Sequence, residues 1–144
     1  MTIDELRPGL ELGPSSWLEV TQDRINGFAD ATDDHQWIHV DPGRAAGGPF
    51  GTTIAHGYLT LSLLVPFSYE LLAVEGVSMG INYGLNRVRF PAPVPVGSRL
   101  RARFRLEDVA EVEGGVQVTA AATVEREGQE KPVCAAELVF RFYR

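Results

Sequence analysis

The sequence predicts an α+β fold, one antiparallel sheet wrapped around a long central helix. Three observations predict it. The stretch from His56 is apolar nearly all round (Gly57, Tyr58, Leu59, Leu61, Leu63, Leu64, Val65), as a helix surrounded by protein should be. From Arg99 onward the chain alternates polar and apolar residues in three consecutive runs divided by glycine-bearing turns. Finally, 144 residues with 44% hydrophobic content suit a single domain, 1–144, that buries one core without metal or disulfide staples.

The elements follow in chain order. Trp17–Val20 reads as a short strand. Thr21 is an N-cap, with Asp23 in the first turn favourable to the helix dipole. Ile25, Phe28 and Ala29 then share one helical face, and the polar run from Thr32 ends that helix near residues 31–33. Asp41-Pro42 starts a short helix through Ala46, and the breakers of Gly47–Gly51 make a loop. The long apolar helix begins at His56. Pro66 should kink or break it, with Phe67–Val74 as a second helical piece. Met79–Tyr83 is strand-like, with a possible extension to Phe90. Arg99–Leu106 alternates without error, and Gly114-Gly115 marks a hairpin. Val116, Val118, Ala120, Ala122 and Val124 share one face of the next strand. After a turn at Glu127-Gly128, Cys134, Ala136, Leu138, Phe140 and Phe142 share one face of the last. Such a meander packed on one helix is the description of a hot-dog fold. It leaves a sheet edge open, and pairing of that edge between two copies predicts a homodimer.

Composition excludes several classes of function. With 13 basic against 19 acidic residues, a net charge of −6 and no Lys/Arg block, neither nucleic acid nor a membrane surface is an expected partner. The lone Cys134 forms no internal disulfide and no Cys/His ligand spacing, and reads as a buried small hydrophobe. The acidic N-terminus has no signal-peptide character and no apolar run spans a bilayer, so a reducing, cytoplasmic setting is expected.

Chemistry concentrates in one place. The three histidines, His35, His39 and His56, lie within 22 positions, interleaved with Asp33, Asp34 and Asp41. A carboxylate and an imidazole on one irregular segment can hold a water between them, one taking a proton while the other gives one. The competing reading is a solvated loop. A metal reading also competes, since His35 and His39 stand at i,i+4; but Gln36 occupies the place of the glutamate in HExxH, and no metal is expected. Thr52–Tyr58 opens the apolar helix with unpaired N–H groups. Gly57 either presents its N–H to a carbonyl or simply permits close packing. Arg87 and Arg89 are placed either for ligand phosphates or as surface partners of acids. Arg99, Arg101, Arg103 and Arg105 form a solvated sheet face.

The stretch from Thr32 to His39 resembles the signature of MaoC-like (R)-specific enoyl-CoA hydratases, approximately Ser/Thr-Gly-Asp-x-Asn-Pro-Leu-His. The form seen here is most similar to the NodN-like branch. Ala55–Tyr58 is similar to the family's second motif, and Asn86–Phe90 with the following Ala-Pro-Val is similar to its third. The resemblance covers about Ala29 to Gly97. It implies Asp34 and His39 as the catalytic pair and the Gly57 N–H as oxyanion donor. It places Gln36 beside the catalytic water, with His56 and Asn86 among the substrate-binding residues. The implied reaction is hydration of a trans-2-enoyl thioester to the (R)-3-hydroxyacyl thioester, or the reverse. Coenzyme A enters only as part of the substrate. An acyl-CoA thioesterase and a non-catalytic acyl-thioester binding protein are the alternatives on this architecture. Two departures stand out. Asp33 replaces a glycine, and if buried would raise the pKa of one aspartate. Trp37 replaces a proline and is expected to reshape the acyl pocket, with Tyr58 also lining it.

Overall fold

A computed structural model describes residues 1–144. Six strands form one antiparallel sheet: β1 (Glu11–Leu12), β2 (Leu18–Glu19), β3 (Met79–Arg89), β4 (Arg99–Val112), β5 (Gly115–Arg126) and β6 (Cys134–Tyr143). The order is β1-β4-β5-β6-β3, with β2 also on β4. Five helices precede or interrupt it: α1 (Gln22–Thr32), α2 (Trp37–Val40), α3 (Pro42–Ala46), α4 (Gly57–Ser62) and α5 (Leu64–Leu71). The α+β expectation is met: one antiparallel sheet packs its inner face against the helical pair α4–α5.

The meander follows the alternation that predicted it. Leu100, Ala102, Phe104 and Leu106 on β4, Val116 to Val124 on β5 and Cys134 to Phe140 on β6 turn their alternate side chains inward. They meet Leu59, Leu63, Leu64 and Phe67 of the helical pair. Alanines at 102, 120, 122 and 136 keep the sheet surface low, so the helices lie close against it. Cys134 is fully buried, and that burial pushes its thiol up to about 11. Outside, the arginine row pairs with acids: Arg99 with Glu127 at 2.9 Å, and Arg101 and Arg103 both with Glu125.

The hairpin between β4 and β5 turns through Glu113 and Gly114, the latter at φ 78°. Gly115 is required by space, because a Cβ there would lie 2.0 Å from the Phe142 carbonyl oxygen. The strands run longer than the alternation marked, β4 to Val112 through an irregularity at Glu107, and β3 to Arg89 with two register shifts.

The central helix differs from expectation. It breaks at Leu63, three residues before Pro66, and the second piece ends at Leu71. Proline acts on the turn before it: it has no N–H for the carbonyl four residues back, and its ring crowds that carbonyl. The interruption therefore falls N-terminal to Pro66, which becomes the third residue of α5, a tolerated place. Nor does its own chain surround the pair, since Tyr58 is 73% and Tyr69 77% exposed. Beside them the edge strand β3, with Met79, Tyr83 and Leu85 exposed, has no strand partner on its far side. No helix is long and apolar enough to cross a membrane.

Candidate active site

The site hangs between α1 and the start of α4. The Thr21 hydroxyl caps α1 by accepting the Arg24 N–H at 3.1 Å, as the sequence predicted. The helix ends on Asp33 in the left-handed conformation, φ 60° and ψ 22°. That explains why a residue occupies the place of the family glycine: the turn needs positive φ, and aspartate tolerates it better than most side chains. Asp33 is exposed, so the burial that would tune its neighbour is absent.

Beyond it the chain reverses into α2, which carries His39. Two bonds fix this ring and its backbone. The His39 Nδ1 lies 2.7 Å from the Ile54 carbonyl, so Nδ1 carries the proton and Nε2 keeps a lone pair. The His39 carbonyl accepts the Gln22 side-chain amide at 2.8 Å, and the Gln22 oxygen accepts the Thr53 hydroxyl at 2.6 Å. The Ile54 N–H completes the tie by donating to the Ile38 carbonyl at 3.0 Å.

His56 lies beneath. Its ring stacks on His39 with centroids 3.9 Å apart and planes inclined by 23°. Its Nε2 is 3.0 Å from the Asp34 backbone carbonyl. One carboxylate oxygen of Asp34 and one ring nitrogen of each histidine lie within 4.8 Å of one another, with both histidines buried and Asp34 exposed. A single water can bridge such a gap, since each hydrogen bond spans about 2.8 Å. Burial lowers the pKa of His39 below its ordinary value of 6.5; the Ile54 bond opposes this, His56 adds to it, and Asp34 opposes it. His39 is therefore neutral, with a lone pair available as a base.

These three residues are also the only set able to hold a metal. Stacked rings suit that poorly. Imidazole lone pairs lie in the ring planes, and rings stacked 3.9 Å apart at 23° confine them to two separate, nearly parallel planes rather than to one ion about 2 Å from each. The His35–His39 pair is separated altogether: His35 turns out to Asp30 at 2.9 Å, and that bond raises its pKa.

Gly57 is the first residue of α4, and its N–H donates to no group in the chain. The packing role holds as well, because a Cβ there would come 3.0 Å from the Phe90 ring. Gln36 is exposed at the N-cap of α2, its backbone N–H 3.4 Å from an Asp34 carboxylate oxygen. Asn86 stands apart, its amide donating to Glu137 at 2.6 Å across to β6. Trp37 lies under the Arg44 guanidinium at 4.3 Å and against Gly48. A cavity of about 310 Å³ opens between the helical pair and strands β3 and β6, lined by Leu61, Ser62, Leu64, Val65, Leu85 and Leu138 among others. Neither Trp37 nor Tyr58 lines this cavity: Trp37 is taken up by the α2–α3 corner, and Tyr58 is exposed.

Sequence reasoning missed the supports Gln22, Thr53 and Ile54. One signal was present: Gln22 and Asn26 fall on the helical face of Ile25 and Ala29, and polar residues on an apolar face call for buried partners.

Residues 5–128 match the family model described as MaoC like domain. The chain is 58% identical to 3-hydroxyacyl-thioester dehydratase Z of Mycobacterium tuberculosis, over 93% of this chain and 89% of that one. It is 48% identical to nodulation protein N of Rhizobium meliloti, over 91% and 83%. Its fold is similar to that of the (R)-hydratase from A. caviae involved in PHA biosynthesis, with a TM-score of 0.78 and 24% identity, covering 94% of this chain and 96% of that one.

Proposed function

Because the chain belongs to the MaoC-like dehydratase family, on the branch with nodulation protein N, we propose that it hydrates trans-2-enoyl-CoA to (R)-3-hydroxyacyl-CoA and catalyses the reverse dehydration. The observation that carries this reading is the juxtaposition of the Asp34 carboxylate with a buried, neutral His39 across the width of one water.

In the proposed mechanism Asp34 and His39 hold the water and remove its proton. The water oxygen bonds to C3 of the enoyl group, and the C2–C3 π electrons move toward the thioester carbonyl. The Gly57 N–H, free at the start of α4, stabilises the enolate oxygen. A proton returned to C2 by the pair completes the addition. The acyl chain is assigned to the apolar cavity between the helices and β3–β6, because α4, which begins at Gly57, supplies Leu61 and Ser62 to its wall. Coenzyme A is part of the substrate, and the reaction needs no resident cofactor. The uncovered helical pair and the free edge of β3 support a homodimer, in a cytoplasmic setting.

Incubation with a short trans-2-enoyl-CoA tests the reading. Loss of the conjugated absorbance without free thiol is expected; thiol release would make the protein a thioesterase, and binding without either change a non-catalytic acyl-thioester binding protein. Asp34→Asn and His39→Asn should each lower kcat by about 10²–10⁴-fold, the usual contribution of a general acid or base. Full activity in both variants would reject the site.

A further inference from the structure

His56, expected among the substrate-binding residues, is buried beneath the pair. It is 2% exposed, with one face on His39 and the Phe28 ring centroid 4.9 Å away, tilted by 57°. Its hydrogen bonding is lopsided. A backbone carbonyl only accepts, so the Nε2 that meets the Asp34 carbonyl carries the proton, and Nδ1 is a bare acceptor. That Nδ1 is the one buried side-chain polar atom in the protein with no partner. Leaving such an atom unsatisfied carries an unrepaid desolvation cost. An apolar ring of similar size would avoid the cost, so the imidazole requires a reason.

We infer that His56 is a positioning residue for the catalytic pair, its Nε2–H holding the main chain of Asp34 while its stacked ring fixes the plane of His39. The inference rests on the hydratase reading above for its kinetic consequence, but not for its geometry. The two contacts act on the two halves of the site at once. Asp34 is exposed on a turn that leaves a left-handed residue, and few other bonds fix its backbone. The His56 bond ties that turn to the first residues before α4, the segment that also supplies the Ile54 carbonyl to His39 and the Gly57 N–H. With Nδ1 unpartnered, the Nε2–H to the Asp34 carbonyl is the one polar anchor of the ring. Catalytic groups displaced by about 1 Å can lose about a hundredfold in rate.

Two measurements test the inference. In the unmodified protein, ¹⁵N imidazole NMR should show the His56 ring proton on Nε2, facing the Asp34 carbonyl. The Nδ1–H tautomer overturns the inference whatever the activity proves to be. Kinetics then examine the consequence. His56→Phe keeps a stacking ring but no donor, and should lower kcat by about ten- to a hundredfold with little change in KM. His56→Gln, which carries an amide N–H at a similar reach, should recover most of that loss. A rise in KM at unchanged kcat would make His56 a substrate contact and overturn the inference, as would full kcat in His56→Phe. If the unmodified protein hydrates no enoyl-CoA, the functional reading fails while the NMR result still decides the placement of His56.

Discussion

Asp33 is the one residue other than glycine with positive φ. Left-handed backbone costs most side chains about 1–2 kcal/mol, and β-branched ones the most. Asp33→Val should lower the free energy of unfolding in urea by about that amount, and Asp33→Gly should be at least as stable as the parent. His39 makes a second prediction at this scale. Its pKa is lowered below 6.5 in the folded protein, so the neutral base persists to lower pH than an ordinary histidine allows. The acidic limb of the kcat/KM profile should fall below pH 6.5. Stability has a matching sign. Once the pH drops below 6.5 the unfolded chain takes up a proton that the folded chain refuses, and this contribution is progressively lost until the folded pKa is passed. The clustering of titratable groups beside a helix end drew attention to this stretch, but only the family resemblance singled out Asp34 and His39 as a pair. Gln22 and Thr53 were not legible in the sequence, because their roles depend on contacts 17 and 31 positions distant in the chain.

Among the elements, legibility followed period. The inward faces of β4, β5 and β6 could be read from strict alternation, which has a single structural solution when one face is buried. The two-residue strands β1 and β2 and the four-residue α2 carry too few residues for any period, although the Trp17–Val20 reading does contain β2. The break in the central helix was expected from Pro66 but placed on the wrong side of it. Gly115 shows what alternation cannot reveal. It read as half of a turn, yet it lies within β5, where a side chain would collide with the backbone of β6. Backbone cannot rotate away as a side chain can. Gly115→Ala should therefore destabilise the protein by more than about 2 kcal/mol in chemical denaturation, beyond the usual range of surface substitutions.

At the scale of the whole molecule, the two edges of the sheet are unequal. The segment from Gly9 to Glu19 runs along β4 and satisfies it: Gly9 and Leu10 bond Leu106, Ser15 bonds Ala102 through both backbone and hydroxyl, and β2 pairs Leu100. The opposite edge, β3, is long, apolar and free. Light scattering should give twice the mass of the chain, and a double substitution, Met79→Lys with Tyr83→Lys, should halve it, since edge lysines oppose strand pairing. A mass of one chain for the parent protein would reject the dimer. The covered edge has a consequence of its own. A sheet with two open edges can recruit neighbours without end and grow into a fibre, whereas a sheet with one can accept a single neighbour about a two-fold axis and is then closed. The short strands at the start of the chain add little core, but they are what would make assembly stop at two.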